Sequence, residues 1–151
     1  MFWDIRKARE KDYQELIELW EASVRVTHDF LAERDLLFYK KRLPEYFDQA
    51  FLLALQEDKR IIHGFVGTID DSIAMLFVHP ERMGMGIGTL LLGVAMLELG
   101  ARKVDVNEQN LRAKKFYEKY GFRVEGRSPV DDEGLPYPLL HMVYQRKRKK
   151  R

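Results

Sequence analysis

The chain has 151 residues, 46% of them hydrophobic and 12% aromatic, which suits one domain with a substantial core. It contains no cysteine, which excludes disulfides, a thiol nucleophile and a Cys-ligated zinc site. The net charge is +2, but Arg146–Arg151 holds six of the 26 basic residues; the remainder, with 20 basic and 24 acidic residues, carries −4, so the basicity is no sign of a nucleic-acid-binding surface.

Phe2 to Lys7 reads as a first strand, and Asp12-Tyr13-Gln14-Glu15 as the capping-box-like start of a helix that buries Leu16, Ile17, Trp20 and Val24. A second helix is expected from about Glu33 to Leu43, ended by Pro44. Ala50 to Gln56 and Arg60 to Thr68 read as strands around the polar turn Glu57-Asp58-Lys59, and Ser72 to His79 as a third strand, closed by Pro80. A glycine run then leads into a helix carrying Leu90, Leu91, Val94 and Leu97, with Gly100 beyond its end. Lys103 to Val106 is a short strand, Leu111 to Tyr120 a helix stopped by Gly121, and Phe122 to Arg127 and Leu139 to Gln145 the closing strands. This predicts an α/β domain over 1–145 with a mixed sheet, followed by a solvated basic tail, 146–151. No apolar run approaches the ~20 residues that span a membrane, and Met1 to Glu10 lacks a signal-peptide pattern, so a cytoplasmic protein is expected.

The most informative stretch is Arg82-Met83-Gly84-Met85-Gly86-Ile87-Gly88-Thr89, between an apolar strand and an apolar helix. Glycines there let the backbone approach a ligand, and the first helical turn offers unpaired N–H groups and a positive dipole end to an anion. A nucleotide P-loop is excluded because no lysine lies between Arg82 and Leu99. A dinucleotide fingerprint fails because Thr89 or Leu91 stands where the third glycine belongs. By itself the run is also compatible with a helix cap. A second block follows: Asn107-Glu108-Gln109-Asn110, then Ala113, Phe116-Tyr117 and Gly121-Phe122.

Together the two blocks resemble the GNAT acetyltransferase family, and Thr27-His28-Asp29-Phe30-Leu31, Gly126-Arg127-Ser128 and Pro136-Tyr137-Pro138-Leu139-Leu140 resemble its YjaB-like bacterial subgroup. The resemblance implies the GNAT fold: a mostly antiparallel mixed sheet of about seven strands flanked by about four helices, with the fourth and fifth strands splayed. It implies transfer of the acetyl group of acetyl-CoA directly to a primary amine, on a small molecule or a protein lysine, with no metal. Met83, Gly84, Met85, Gly86, Ile87, Gly88 and Thr89 would form the pyrophosphate loop, although Met83 stands where the family carries Arg or Gln. Leu76, Phe77 and Val78 would offer backbone groups to the pantetheine arm, and Asn107, Asn110 and Phe116 would line it. Asn107 alternatively serves only to cap the helix. Tyr117 would donate a proton to the departing thiolate, with Phe116 buried and Tyr117 facing the cleft; outside the motif it would read as a core aromatic.

For the acceptor side, His28 is a candidate base and, with Phe30, Asp132 and Tyr137, a candidate substrate contact. His28 equally reads as a structural loop histidine, and Asp131 and Asp132 as a solvated turn. His79 is a candidate turn cap, and His63 and His141 carry no supporting pattern. A homodimer is in keeping with the family. A non-catalytic acyl-CoA-binding module is the reading from a different class.

Overall fold

The computed structural model describes residues 2–146; most of the basic tail, 147–151, lies outside the described residues. The chain divides into two compact units, with the boundary after Ala101.

The first unit contains β1 (Trp3–Lys7), α1 (Tyr13–Thr27), α2 (Glu33–Gln49), β2 (Phe51–Glu57), β3 (Ile61–Ile69), β4 (Ser72–Val78) and α3 (Ile87–Leu97). The four strands pair antiparallel in the order β1-β2-β3-β4, so each connection is a hairpin or a helical excursion between neighbours. Strand alternation puts Ala54, Phe65 and Phe77 on one face, with Ala54 opposite Phe65 and Phe65 opposite Phe77. That face meets Leu16, Trp20, Leu36, Leu43 and Phe47 from α1 and α2 in a single buried cluster. The other face carries Gly64, where an added Cβ would come within 2.9 Å of Ile87, the first residue of α3. A glycine is required there for the start of α3 to seat on β3.

Two expectations at helix starts and ends are corrected. The second helix continues through Pro44 to Gln49 because Leu36, Leu43 and Phe47, each at most 3% exposed, hold both sides of the proline against the core; packing outweighs one lost N–H bond. Asp12 and Glu15 do not cap α1. Asp12 accepts hydrogen bonds from the two terminal guanidinium nitrogens of Arg6 at 2.9 Å and from the Arg9 N–H at 2.8 Å, while Glu15 accepts the Ile62 N–H at 2.8 Å. In α3 the buried residues are Ile87, Leu91, Leu92 and Ala95, while Leu90 and Leu97 are exposed, so the buried face starts one turn earlier than the leucine spacing suggests.

The second unit contains β5 (Lys103–Asn107), α4 (Leu111–Lys119), β6 (Phe122–Ser128) and β7 (Leu139–Tyr144), with β7 pairing antiparallel to both β5 and β6. Val104, Val106, Met142 and Phe122 are buried, and Tyr117 of α4 sits edge-on to Phe122 at 5.5 Å between ring centroids. Gly121 ends α4 at φ 96°, and an added Cβ would press to 3.0 Å from the Tyr144 ring.

Candidate active site

In the loop after β4, His79 closes the strand: its Nδ1 accepts the Glu81 N–H at 3.2 Å across a short 3-10 turn, Pro80–Arg82, as the proline spacing suggested. Gly84 and Gly86 then adopt φ of 81° and 84°, a region that side chains resist. Gly86 is the N-cap of α3 and has no side chain with which to satisfy the first-turn N–H groups, and no acidic residue occupies that turn. An added Cβ at Gly84 or Gly86 would meet nothing within 4 Å. An uncapped helix start behind an open glycine cradle fits the anionic pyrophosphate of acetyl-CoA.

Two neighbours of that cradle are engaged. The Met83 N–H closes the turn on the Pro80 carbonyl at 3.4 Å. Arg82 lies 3.7 Å from Glu57, whose carboxylate also contacts buried His63 at 2.7 Å. His63, patternless in the sequence, is thus a buried partner of Glu57. Leu76, Phe77 and Val78 are half-buried and pair with Val66, Phe65 and Gly64.

In the second unit the roles of the two asparagines separate. Asn110 is the N-cap of α4 and accepts the Ala113 N–H at 3.1 Å. Asn107 does not cap the helix with its side chain: its Oδ1 is buried with no hydrogen-bond partner among the described residues, and its backbone carbonyl accepts the Asn110 N–H at 2.9 Å. A buried carbonyl oxygen without a donor is costly, and it fits an amide N–H of a pantetheine arm. Burial of the aromatic pair reverses the expectation: Tyr117 is 6% exposed and Phe116 half-buried, because it is Tyr117 that turns onto Phe122. The Tyr117 hydroxyl makes no hydrogen bond among the described residues, and burial pushes its pKa up, so it keeps its proton at neutral pH.

His28 follows α1. Thr27 Oγ1 donates to the Ser23 carbonyl at 2.9 Å and lies 2.7 Å from His28 Nδ1. The hydroxyl has one proton, already given to Ser23, so Nδ1 carries the imidazole proton and Nε2 the lone pair. The ring packs on Phe30 at 5.3 Å, and burial lowers its pKa to about 4 against the opposing pull of Asp29, leaving it neutral at pH 7. An unfolded histidine near 6.5 binds the proton that folded His28 refuses, so stability falls as the pH drops from about 6.5 towards 4 and is intact above that window. His28→Gln should therefore lose less melting temperature than wild type between pH 7 and pH 4.5 in calorimetry; an equal loss would remove His28 from the acid response.

In the loop between β6 and β7, Asp131 Oδ1 accepts the N–H groups of Glu133 and Leu135 at 3.0 and 2.9 Å, and Gly134 turns the chain at φ 77°. Asp131 therefore builds the turn. Exposed Asp132 stands beside it, and Tyr137 is buried. His141, also without pattern in the sequence, bridges Asp105 and Ser128.

A family model described as an acetyltransferase (GNAT) domain matches residues 21–145. The chain belongs to the GNAT acetyltransferase family. Its relatives include the peptidyl-lysine N-acetyltransferase YjaB of Salmonella typhimurium, 37% identical over 144 residues that cover 95% of this chain and 99% of that protein. The solution structure of apo-form YjaB from Escherichia coli superposes with a TM-score of 0.80 at 36% identity, covering 95% of this chain and 98% of the other. The PaiA N-acetyltransferase of Thermoplasma acidophilum, crystallised with coenzyme A, is similar in fold, with a TM-score of 0.72 at 24% identity over 95% and 100% of the two chains. The fold is thus the GNAT α/β fold, here with seven strands and four α-helices among the described residues, in the YjaB-like subgroup. This GNAT protein is an acetyl-CoA-dependent N-acetyltransferase that acts on an amine, with acetyl-CoA as co-substrate. Among the described residues no helix is long and apolar enough to cross a membrane.

Proposed function

We propose that the acceptor amine is the Nζ of a lysine in a protein, and that the enzyme works in a bacterial cytoplasm. The observation that carries the acceptor reading is the 37% identity, over nearly the full length of both chains, to a peptidyl-lysine N-acetyltransferase. Acetyl-CoA supplies the activated acetyl thioester and leaves as CoA. The N–H groups of Gly84 to Thr89 hold the pyrophosphate; the uncapped start of α3 supports this. Met83 contributes less than its neighbours, since its N–H already closes a turn. The backbone of Leu76, Phe77 and Val78 and the side chain of Asn107 receive the pantetheine amides; the unpartnered Asn107 Oδ1 supports the latter role. Asn110 and Phe116 act through α4, the first by capping it and the second by packing against Tyr117 at 5.1 Å. Tyr117 holds at its Oη the proton that the leaving thiolate requires.

His28 and Phe30 form an acceptor-side contact in which neutral Nε2 accepts a hydrogen bond, and Asp132 with Tyr137 forms another. With its pKa lowered to about 4, His28 is a weak base and better suited to positioning the amine than to deprotonating it.

Mass spectrometry of reactions holding acetyl-CoA with a lysine-containing peptide, spermidine or an aminoglycoside tests the acceptor. Acetylation at the peptide Nζ is the expected result. Acetylation confined to the small amines, or to none of the three, would overturn the lysine reading.

A further inference from the structure

Amine acetylation needs an acceptor that has lost its ammonium proton, and the second unit contains a hydrogen-bonded chain suited to taking it. Asp105 on β5 stands directly opposite His141 on β7, and Gly126 on β6 is the register partner of His141 on its other side. Gly126 brings no side chain, and an added Cβ would lie 3.5 Å from His141 Cδ2, so the imidazole lies across this position. It reaches Ser128, two residues further along β6 and on the same face. His141 Nδ1 is 2.6 Å from Asp105 Oδ1, and His141 Nε2 is 2.6 Å from Ser128 Oγ.

The direction of the chain follows from its members. A carboxylate only accepts, so Nδ1 donates to Asp105; neutral imidazole then holds its lone pair on Nε2, which accepts the Ser128 O–H. The His141 and Asp105 side chains are 38% and 45% exposed, so the chain is open to a substrate. Donors and acceptors run as in the serine hydrolase triad, which raises two chemistries: a serine nucleophile or a proton relay. The surroundings decide between them. Asp132 lies within electrostatic reach of His141, Asp105, Asp131 and Glu133, and of these partners only His141 favours its charged form. That acidic setting opposes an oxyanion and attracts an ammonium.

We propose that Ser128, His141 and Asp105 are the relay that deprotonates the acceptor ammonium, with Ser128 Oγ touching the amine and Asp132 drawing it in. This rests on the reading of the protein as an amine acetyltransferase. One N–H bond of the ammonium breaks and its electron pair stays on nitrogen. Its proton passes to Ser128 Oγ while the hydroxyl proton of Ser128 passes to His141 Nε2. The products are a neutral amine, an unchanged serine and an imidazolium paired with Asp105. The charged and titratable groups facing His141 are Asp105 from β5, with Lys103 two residues away on the same strand face, and Asp132 from the loop, on which Asp131 and Glu133 act in turn; Glu125 lies at the bulge of β6.

The test measures kcat/KM from pH 6 to pH 10 for the full chain, His141→Asn and Ser128→Ala, beside calorimetric Kd values for acetyl-CoA. His141→Asn is expected to fall at least ~100-fold at pH 7, with the deficit narrowing above pH 9 as the lysine ammonium begins to lose its proton to solvent unaided. Ser128→Ala is expected to follow the same profile, and Kd to stay unchanged. A deficit constant across pH, or an unaltered kcat/KM at pH 7 in both variants, overturns the relay. Wild-type turnover of the lysine peptide tests the acceptor reading, and the variant-to-wild-type ratio on whichever amine turns over tests the relay.

Discussion

Replacing Tyr117 with phenylalanine is expected to lower kcat at least ~100-fold while the Kd for acetyl-CoA stays within about twofold. The size of the effect follows from what one oxygen atom does. The ring is buried against Phe116 and Phe122, at centroid distances of 5.1 and 5.5 Å, and phenylalanine keeps both contacts. The hydroxyl makes no hydrogen bond among the described residues, so its removal breaks none, and stability should stay within about 1 kcal/mol of wild type. A structural tyrosine would behave oppositely, with folding affected and turnover spared. Rapid-quench turnover with saturating acetyl-CoA, beside thermal melts, separates the two. An unchanged kcat would take Tyr117 out of the chemistry.

The difference between what the chain discloses and what only the fold discloses is one of range. Gly84, Gly86 and Gly121 and the His79-Pro80 strand end are local: each acts on residues a few positions away, and the sequence pattern places them. Helix α2 runs past Pro44 because residues remote in sequence clamp Leu43 and Phe47, and no local rule contains that contact. The asparagine pair is intermediate. The spacing of Asn107 and Asn110 marks a strand end and a helix start, but only the completed hydrogen bonds show that Asn110 is committed to Ala113 while Asn107 Oδ1 is left without a donor. The relay was the least legible feature. Asp105 and His141 are 36 residues apart and meet through strand register, so a lone histidine in an apolar run gave no sign of its partners. A histidine alternating with buried Leu140 and Met142 was the one available signal, since the pleat must then place it on the opposite face.

Gly86→Val is expected to weaken acetyl-CoA binding by about tenfold or more, and a comparison with Gly93→Ala shows why the loss would come from the loop. At Gly86 the backbone has φ 84°, and an added Cβ meets no atom within 4 Å, so there is room at the point where a side chain would attach. Its cost is conformational, about 1–2 kcal/mol for a left-handed backbone, and a β-branched residue escapes it by rotating the peptide out of that region. Rotation redirects the N–H groups at the start of α3, where no side chain caps the helix and no acidic residue competes for its dipole. Gly93 lies in the middle of the same helix, also with open space at its Cβ but without the left-handed backbone. Alanine there should stabilise the protein by about 0.5–1 kcal/mol and leave the Kd unchanged. Calorimetric titration of both variants with acetyl-CoA reads the contrast directly. A Gly86→Val protein that binds acetyl-CoA as tightly as wild type would show that the pyrophosphate does not use this loop, whereas a loss shared by Gly93→Ala would trace the effect to the helix body.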